Sequence, residues 1–380
     1  MAKVILAFWK YSVERGSNLR SSKDELLQFL EPDTREIDVV VMPDFFLDRL
    51  ITLECDASSF SILVADVAKR KGGSIDGVAQ TDVEGGNAVN TASALAAIGV
   101  KVAPIVCTDG LGLEQLRFSF KSSCIDLSHV KIMEKASLTT ALELESENGK
   151  ANVMLRDLGS LADFGPKDLT HDDYELIANS DYVCVFNWAG TRKFGTELAR
   201  KVFQKVKANG KGKTYFDTAD PTPNRGTISA LVDNILKTNL VDVLSLNENE
   251  AVTYASLIGG FDTSLNGTHF DELALESARF LAKRLNARID FHATRFSGTF
   301  TKKRETIVPA FKVKALRATG AGDAWNAGNI LADGNELPDE CRLALANAVS
   351  ACYLSDPTGE HPTKRKLISF LKSHQVMAGI

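Results

Sequence analysis

The sequence predicts an α/β protein with a central, mostly parallel sheet and a small β lid, and three observations lead there. Short β-branched runs alternate with amphipathic stretches whose apolar positions recur at three and four residues, the pattern of parallel strands joined by crossover helices. At 380 residues, with 44% of positions in the AVILMFWYC set, the chain has enough apolar material for a full core. Two stretches, 51–84 and 131–165, break the alternation. In the second, Leu138–Glu145 and Ala151–Leu155 flank Glu147-Asn148-Gly149-Lys150 and read as a hairpin, and strands that pair with each other form a lid more easily than they join a parallel sheet.

Taken in order, residues 1–36 read as an N-terminal extension, polar and charged from residue 10 and carrying Pro32 near its end. Residues 37–380 read as one domain. Its strands are predicted at Ile37–Met42, Val100–Cys107, Asp181–Phe186, Thr214–Asp217, Val241–Leu246 and Arg288–Ala293. Helices such as Phe194–Ala208, Phe270–Leu285 and Leu343–Leu354 connect or follow them.

Composition excludes several classes. Forty-four basic against forty-nine acidic residues leave a net charge of −5, so there is no overall basic field to hold a nucleic acid. Six cysteines without a C-x-x-C pair argue against a disulfide scaffold or a zinc ribbon and read as reduced core residues. No apolar run reaches the roughly 20 residues that span a bilayer. Met1–Trp9 lacks the h-region and cleavage site of a secretory signal, so the protein is expected in the cytoplasm.

The strongest local signal is Ala318-Thr319-Gly320-Ala321-Gly322-Asp323, which runs into Ala324-Trp325-Asn326-Ala327-Gly328. Small residues let the backbone turn tightly into a helix, leaving N–H groups unpaired at the positive end of the helix dipole, a geometry that holds an anion. A carboxylate beside such a site, Asp323, is electrostatically unfavourable unless it has work there, such as taking a proton from an attacking hydroxyl. The alternative is that Asp323 caps the helix. Two decoys fall away. The third glycine of a dinucleotide fingerprint would be residue 325, which is Trp, and the leading glycine of a Walker loop at Gly212-Lys213-Thr214 would be residue 207, which is Lys.

The second signal is Gly85-Gly86-Asn87-Ala88-Val89-Asn90, leading into an Ala-rich helix that stops at Gly99. The glycine pair allows a ligand to approach the backbone. Asn87 and Asn90 offer amides to a polyhydroxyl ligand, or else cap the helix.

On these two segments, in this order, the chain resembles the ribokinase-like, or PfkB, carbohydrate kinases over roughly residues 37–375. The resemblance implies a ribokinase-like three-layer sandwich and an ATP-dependent kinase that phosphorylates a hydroxyl of a sugar or related polyol. It makes Asp323 the catalytic base and the amides of Gly320, Ala321 and Gly322 the anion hole. Asn247-Glu248-Asn249-Glu250 matches the family's Asn-x-x-Glu motif, so Asn247 and Glu250 inherit the Mg²⁺ role, with a polar loop and helix cap as the alternative. Asp48 takes the place of the sugar-binding carboxylate, with Asp44 competing, beside Gly85, Gly86, Asn87 and Asn90. Thr294, Phe296, Gly298, Thr319 and Asn347 fall on the nucleotide side; for Phe296 a buried core role, and for Asn347 a helix-surface role, stay open. A homodimer paired through lid strands is also implied.

The departures are informative. Arg317 and Ala318 replace an Asp and a Thr of the family motif, at a place where many relatives bind a monovalent cation, and the guanidinium of Arg317 is expected to replace that ion's charge. Pro43, Phe45 and Phe46 make the wall near Asp48 bulkier and more apolar than in ribokinases. Asp217–Arg225 loosely matches a stretch of fructokinase-like and ketodeoxygluconate kinases, and Asn187-Trp188 lies at a strand end where α/β sheets bind ligands. Two alternatives accompany this reading: a nucleoside kinase that sets Phe45-Phe46 against the base, and a non-catalytic sugar or nucleotide sensor.

Overall fold

The computed structural model describes residues 23–31, 34–147, 149–261, 269–317 and 319–377. A helix over residues 23–30 (α1) precedes β1 (Asp38–Met42), β2 (Phe46–Asp56), α2 (Ala57–Lys69), β3 (Ala79–Gly85) and α3 (Asn87–Ala97). Next come β4 (Lys101–Pro104), β5 (Cys107–Thr108), α4 (Gly110–Ser119), β6 (Lys131–Ile132), β7 (Ser137–Ser146) and β8 (Gly149–Asp157). The middle of the chain forms α5 (His171–Asn179), β9 (Tyr182–Phe186), α6 (Gly195–Asn209), β10 (Lys213–Asp217), α7 (Ile228–Leu231) and β11 (Val243–Leu246). It continues through α8 (Glu248–Ile258), α9 (Phe270–Arg284), β12 (Arg288–His292), β13 (Phe296–Phe300) and β14 (Glu305–Pro309) to α10 (Ala321–Gly334), α11 (Asp339–Ser355) and α12 (Lys364–Ser373).

The central sheet has eight strands in the order β14-β13-β12-β11-β10-β9-β1-β4, parallel from β12 to β4, with β13 and β14 antiparallel at one edge. Period-2 alternation divides its side chains between two cores. Val39, Val41, Tyr182, Cys184 and Phe186 pack against α3, α10 and α11 on one face. Val40, Met42, Val183, Val185 and Phe216 pack against α6, α8 and α9 on the other. That is the predicted three-layer sandwich.

The lid is a four-stranded sheet in the order β3-β2-β7-β8. It begins at Phe46 rather than residue 51, and Ala57–Lys69 within it is helical: the Asp56 carboxylate accepts from Ser59 N at 2.7 Å and caps α2. After Asp157 the second lid segment leaves the sheet for a short 3₁₀ turn at Gly159–Asp163. The predicted strand Val100–Cys107 is broken after Pro104: Ile105 N and Cys107 N still donate to Val41 O at 2.9 Å and Pro43 O at 3.2 Å, but Pro43 has no N–H to give in return.

Residues 1–22 of the expected extension lie outside the described residues, while Leu26 and Leu30 of α1 are buried in the first core. Cys107, Cys184 and Cys341 are buried, whereas Cys55, Cys124 and Cys352 are partly exposed, so only half of the cysteines fit the expectation of core residues. Among the described residues no helix is long and apolar enough to cross a membrane.

Candidate active site

α10 fixes the centre of the site. Its residues Asp323, Asn326, Asn329 and Asp333 recur at three to four positions and form a polar stripe on an otherwise small-residue helix. The stripe lies on the sheet. Asn326 Nδ2 donates to Asp217 Oδ2 at 2.8 Å, and its Oδ1 accepts from Tyr215 Oη and Ser245 Oγ, each at 2.7 Å. Asn329 donates to Asp290 at 2.8 Å, and Asp333 pairs with Arg288 at 2.8 Å. With every member partnered, this buried network sets the height of the helix above the sheet and so the position of its first turn.

That turn starts at Gly320, whose φ of +81° is the left-handed conformation only glycine adopts at little cost. Among the described residues no side chain caps α10. Its first N–H groups therefore remain available at the positive end of the dipole, as an anion site requires. Asp323 is not the cap. Its two carboxylate oxygens accept from Asn87 Nδ2 at 2.8 Å and Asn90 Nδ2 at 3.0 Å, across the interface with α3. Burial, reinforced by the negative fields of Asp217 and Asp44, pushes its pKa up to about 8 against the pull of the two amides. Asn87 and Asn90 thus hold the carboxylate rather than cap α3, whose N-cap is Gly86.

Asp44 and Asp48 separate clearly. Asp44 is wholly buried and accepts from Asn87 N at 2.8 Å, Ala88 N at 2.9 Å and Asn187 Nδ2 at 2.8 Å, so it fastens the start of α3. Three donors already engage its two oxygens, so the contacts the structure gives it are with the start of α3 and Asn187. Asp48 lies on the lid in a cross-strand row with Val83, Thr139 and Arg156. Thr139 hydrogen-bonds its carboxylate, burial raises its pKa, and Oδ1 is sealed without a partner among the described residues. Such an orphan acceptor is a ready partner for a hydroxyl. The guanidinium of Arg156 rests 4.8 Å over the Phe46 ring, and its field reaches both acids. Phe45 and Phe46 are only 1% and 2% exposed, so they form no open aromatic wall for a base.

A cavity of about 510 Å³ is lined by the polar Asn87, Asp217, Glu250 and Asp323, by the Gly320–Gly322 turn, and by the apolar Phe311, Val313, Leu354 and Met377. The nucleotide-side candidates divide around it. Thr294 lines it, with its N–H donating to Glu248 at 2.9 Å. Phe296 and Gly298 are buried in β13, Phe296 packing 5.7 Å from Phe291, and neither lines the cavity; the strand lies between β12 and β14 and is buried along its whole length. Asn347 lies in the wall, but its amide is occupied by Trp325 Nε1 at 2.9 Å and Pro309 O at 3.1 Å, so it joins helix to strand. Thr319 is exposed at the start of the turn and does not line the cavity.

Asn247 and Glu250 form a reciprocal capping box at the start of α8: Asn247 N donates to Glu250 Oε2 at 2.9 Å, and Glu250 N to Asn247 Oδ1 at 3.0 Å. Both also line the cavity. Burial and the neighbouring Asp217 drive the Glu250 pKa well up, and burial raises Asp217. Sequence reasoning left Asp217, His292 and Asn326 without a role. The three-and-four spacing of polar residues along α10 was the available signal for Asn326, and the strand-end positions were the signal for the other two.

A sandwich of this topology, with an uncapped Gly-Ala-Gly turn and a buried acid behind it, defines a phosphotransferase-like site. The chain matches the pfkB family carbohydrate kinases over residues 59–364 and belongs to that family. It is an enzyme that transfers a phosphoryl group to an alcohol. A ribokinase of Haemophilus influenzae is 24% identical over 294 residues, covering 76% of this chain and 87% of its own. Two solved structures share the fold. An Arabidopsis thaliana ribokinase complexed with ribose and ATP has a TM-score of 0.65 at 16% identity, covering 89% of this chain and 99% of its own. An adenosine kinase from Sinorhizobium meliloti has a TM-score of 0.66 at 18% identity, covering 89% and 98%.

Proposed function

We propose that this protein is a cytoplasmic kinase transferring the γ-phosphoryl group of ATP to a hydroxyl of a sugar or related polyol, with Asp323 as the base. The observation that carries this reading is the placement of Asp323: a buried carboxylate held by two amides at the mouth of an uncapped helix turn, with its pKa pushed up to about 8. A base of that strength takes a proton from an alcohol more readily than an ordinary carboxylate does. As the proton passes to Asp323, the acceptor oxygen bonds to the γ-phosphorus and the bond to the β,γ-bridging oxygen breaks, releasing ADP. The Gly320–Gly322 amides offset charge on the transferring group. Most of the acceleration in such a loose transition state comes from positioning and electrostatics, and the base adds typically about 10²–10⁴-fold.

Asp48, with its unpartnered Oδ1 and with Gly85 against it, is the proposed grip on the acceptor hydroxyls. Asn87 and Asn90 enter as holders of Asp323 and Gly86 as the start of α3, so their contact with the acceptor is proposed only through that scaffold.

The residues present fit Mg²⁺. Asp217 and Glu250 are hard oxygen donors whose pKa values are raised by burial first and by neighbouring carboxylates second. Among the described residues no three acids, histidines or cysteines are grouped to bind a metal directly, so Asn247, Glu250 and Asp217 would hold the ion through water and the nucleotide. Bound there, Mg²⁺ neutralises phosphate charge.

Exposed Val83, Leu138, Val153, Met154 and Leu155 on the lid support a homodimer formed through it. A sedimentation run that finds only monomer at micromolar concentration overturns that part. The function itself is tested by coupled ADP release across sugars, polyols and nucleosides. Turnover restricted to nucleosides would replace the acceptor assignment, and turnover surviving in Asp323→Asn would overturn the mechanism.

A further inference from the structure

Among the described residues His292 is the one histidine on the cavity wall, and the mechanism above gives it no task. It is the last residue of β12, at the end of the sheet where the cavity opens. Packing rather than hydrogen bonding holds its ring. The ring centroid lies 5.0 Å from that of Trp325, and a side chain at Gly322 would approach Cε1 to 3.1 Å, so the imidazole edge lies directly against the second glycine of the anion turn.

The two ring nitrogens differ. Nε2 is sealed from solvent and has no hydrogen-bond partner among the described residues, while the residue as a whole is partly exposed to the cavity. Burial lowers the pKa to about 4, so the ring is neutral at physiological pH and carries one N–H. Buried donors without partners are rarer than buried acceptors without partners, which favours a bare Nε2 and places the proton on Nδ1, on the open side. The cavity that takes in Asp323 and the apolar Phe311, Val313 and Leu354 is also lined by Gly322 and His292, which lie against each other. A nucleotide with its γ-phosphoryl group at the turn and its base against those apolar side chains therefore runs its remaining phosphates past this imidazole.

We propose that His292 donates a hydrogen bond from neutral Nδ1–H to a non-transferred phosphate oxygen of the donor nucleotide and aligns the phosphate chain with the Gly320–Gly322 turn. This rests on the kinase reading above. A neutral donor orients the chain without adding a cation that would retain ADP after transfer.

The test compares His292→Leu, His292→Asn and His292→Gln. Binding of ATP and of inorganic tripolyphosphate is read by calorimetry, and the acceptor KM by coupled ADP release. An amide nitrogen in Asn reaches the place of Nδ1, whereas in Gln it reaches that of Nε2. His292→Leu is expected to weaken both ATP and tripolyphosphate by about 10- to 100-fold, the effect of one hydrogen bond to a charged group, with the acceptor KM unchanged. His292→Asn should stay within about threefold of the parent and His292→Gln should not. Equal tripolyphosphate affinity in parent and His292→Leu overturns the inference. If the Leu variant does not fold, rescue by Gln but not Asn does the same. Turnover of the parent separates the two claims: no ADP release with any sugar, polyol or nucleoside removes the kinase reading, whereas ADP release alongside unimpaired tripolyphosphate binding in His292→Leu removes only the histidine.

Discussion

The guanidinium of Arg317 donates to the carbonyl oxygen of Tyr353 at 3.0 Å, at the C-terminal end of α11. It also reaches the Pro357 carbonyl at 3.5 Å and lies 5.3 Å over the Tyr353 ring, and a side chain at Gly359 would come within 3.2 Å of its Cζ. Tyr353 in turn backs the anion turn, its Oη only 2.8 Å from where Gly320 would carry a Cβ. Convergent peptide carbonyls behind an anion site are what a monovalent cation would use, and here a covalently tethered cation occupies them. Turnover is therefore expected to agree within about twofold between potassium and tetramethylammonium salts. Arg317→Met should lower kcat/KM for ATP by at least tenfold, which is about 1.4 kcal/mol, and potassium should restore part of it. Strong potassium activation of the unaltered enzyme would refute the substitution of ion by side chain.

A buried carboxylate with its pKa pushed up to about 8 gives activity and stability opposite pH dependences. Only the ionised form accepts a proton, so kcat/KM for the acceptor should fall about one decade per pH unit below pH 8 and level off above it. In the unfolded chain the same group titrates near 3.8. Between those values the native state binds more protons than the unfolded state, so its contribution to stability is greatest at the acid end and declines as pH rises toward 8. Asp323→Asn should lose about 10²–10⁴-fold in kcat, keep ATP binding, and unfold at a higher temperature than the parent at pH 8.5. A flat rate profile from pH 6 to 9 would contradict the assignment.

Acceptor binding turns on the contact between Gly85 and Asp48, where an added Cβ would collide with Asp48 Oδ2. Gly85→Ala must therefore displace the carboxylate from its bond with Thr139. Both Gly85→Ala and Asp48→Asn are expected to raise the acceptor KM by about 10- to 100-fold while moving the ATP KM less than about threefold. An unchanged acceptor KM in both variants would place the hydroxyl grip elsewhere.

What was legible in the sequence was what local chemistry determines. Tyr182–Phe186 is wholly buried and β-branched or aromatic at most positions, so it can only be an inner strand. The Gly320–Gly322 turn announces itself through residues that few other settings need. The errors arose where a partner distant in sequence decides. Asp44 and Asp48 are four positions apart, and Asn187 after β9, together with the amides of Asn87 and Ala88, seals one of them. Phe296 falls in a Thr-x-Gly-like stretch, yet its register against Pro309 turns it into the core. The ring of His292 acquires meaning only against Gly322, thirty positions later, on another element.

The same long-range logic makes Arg342 a stability residue rather than a site residue. Its side chain is fully buried on α11, and Nη1 and Nη2 donate to Asp290 at 2.9 Å and Asp339 at 3.0 Å. Asp290 also receives Arg288 at 2.8 Å and Asn329 at 2.8 Å, so the pair links α11, β12 and the polar stripe of α10. Charges held by Arg288 and Arg342 keep the Asp290 carboxyl below its usual pKa despite burial. Removing one partner of a buried pair costs about 3–5 kcal/mol, and the value here is expected near about 3 kcal/mol because Arg288 stays on Asp290. Urea unfolding of Arg342→Met should show that loss. The double variant Arg342→Met with Asp290→Asn should lose less than the two single effects combined, since the neutral amide keeps partners in Thr299 and Asn329. Arg342 does not line the cavity, so the KM values for ATP and acceptor should stay at parental levels in whatever fraction folds. An unfolding midpoint equal to the parent's would mean that the guanidinium contributes no more to stability than the methionine replacing it.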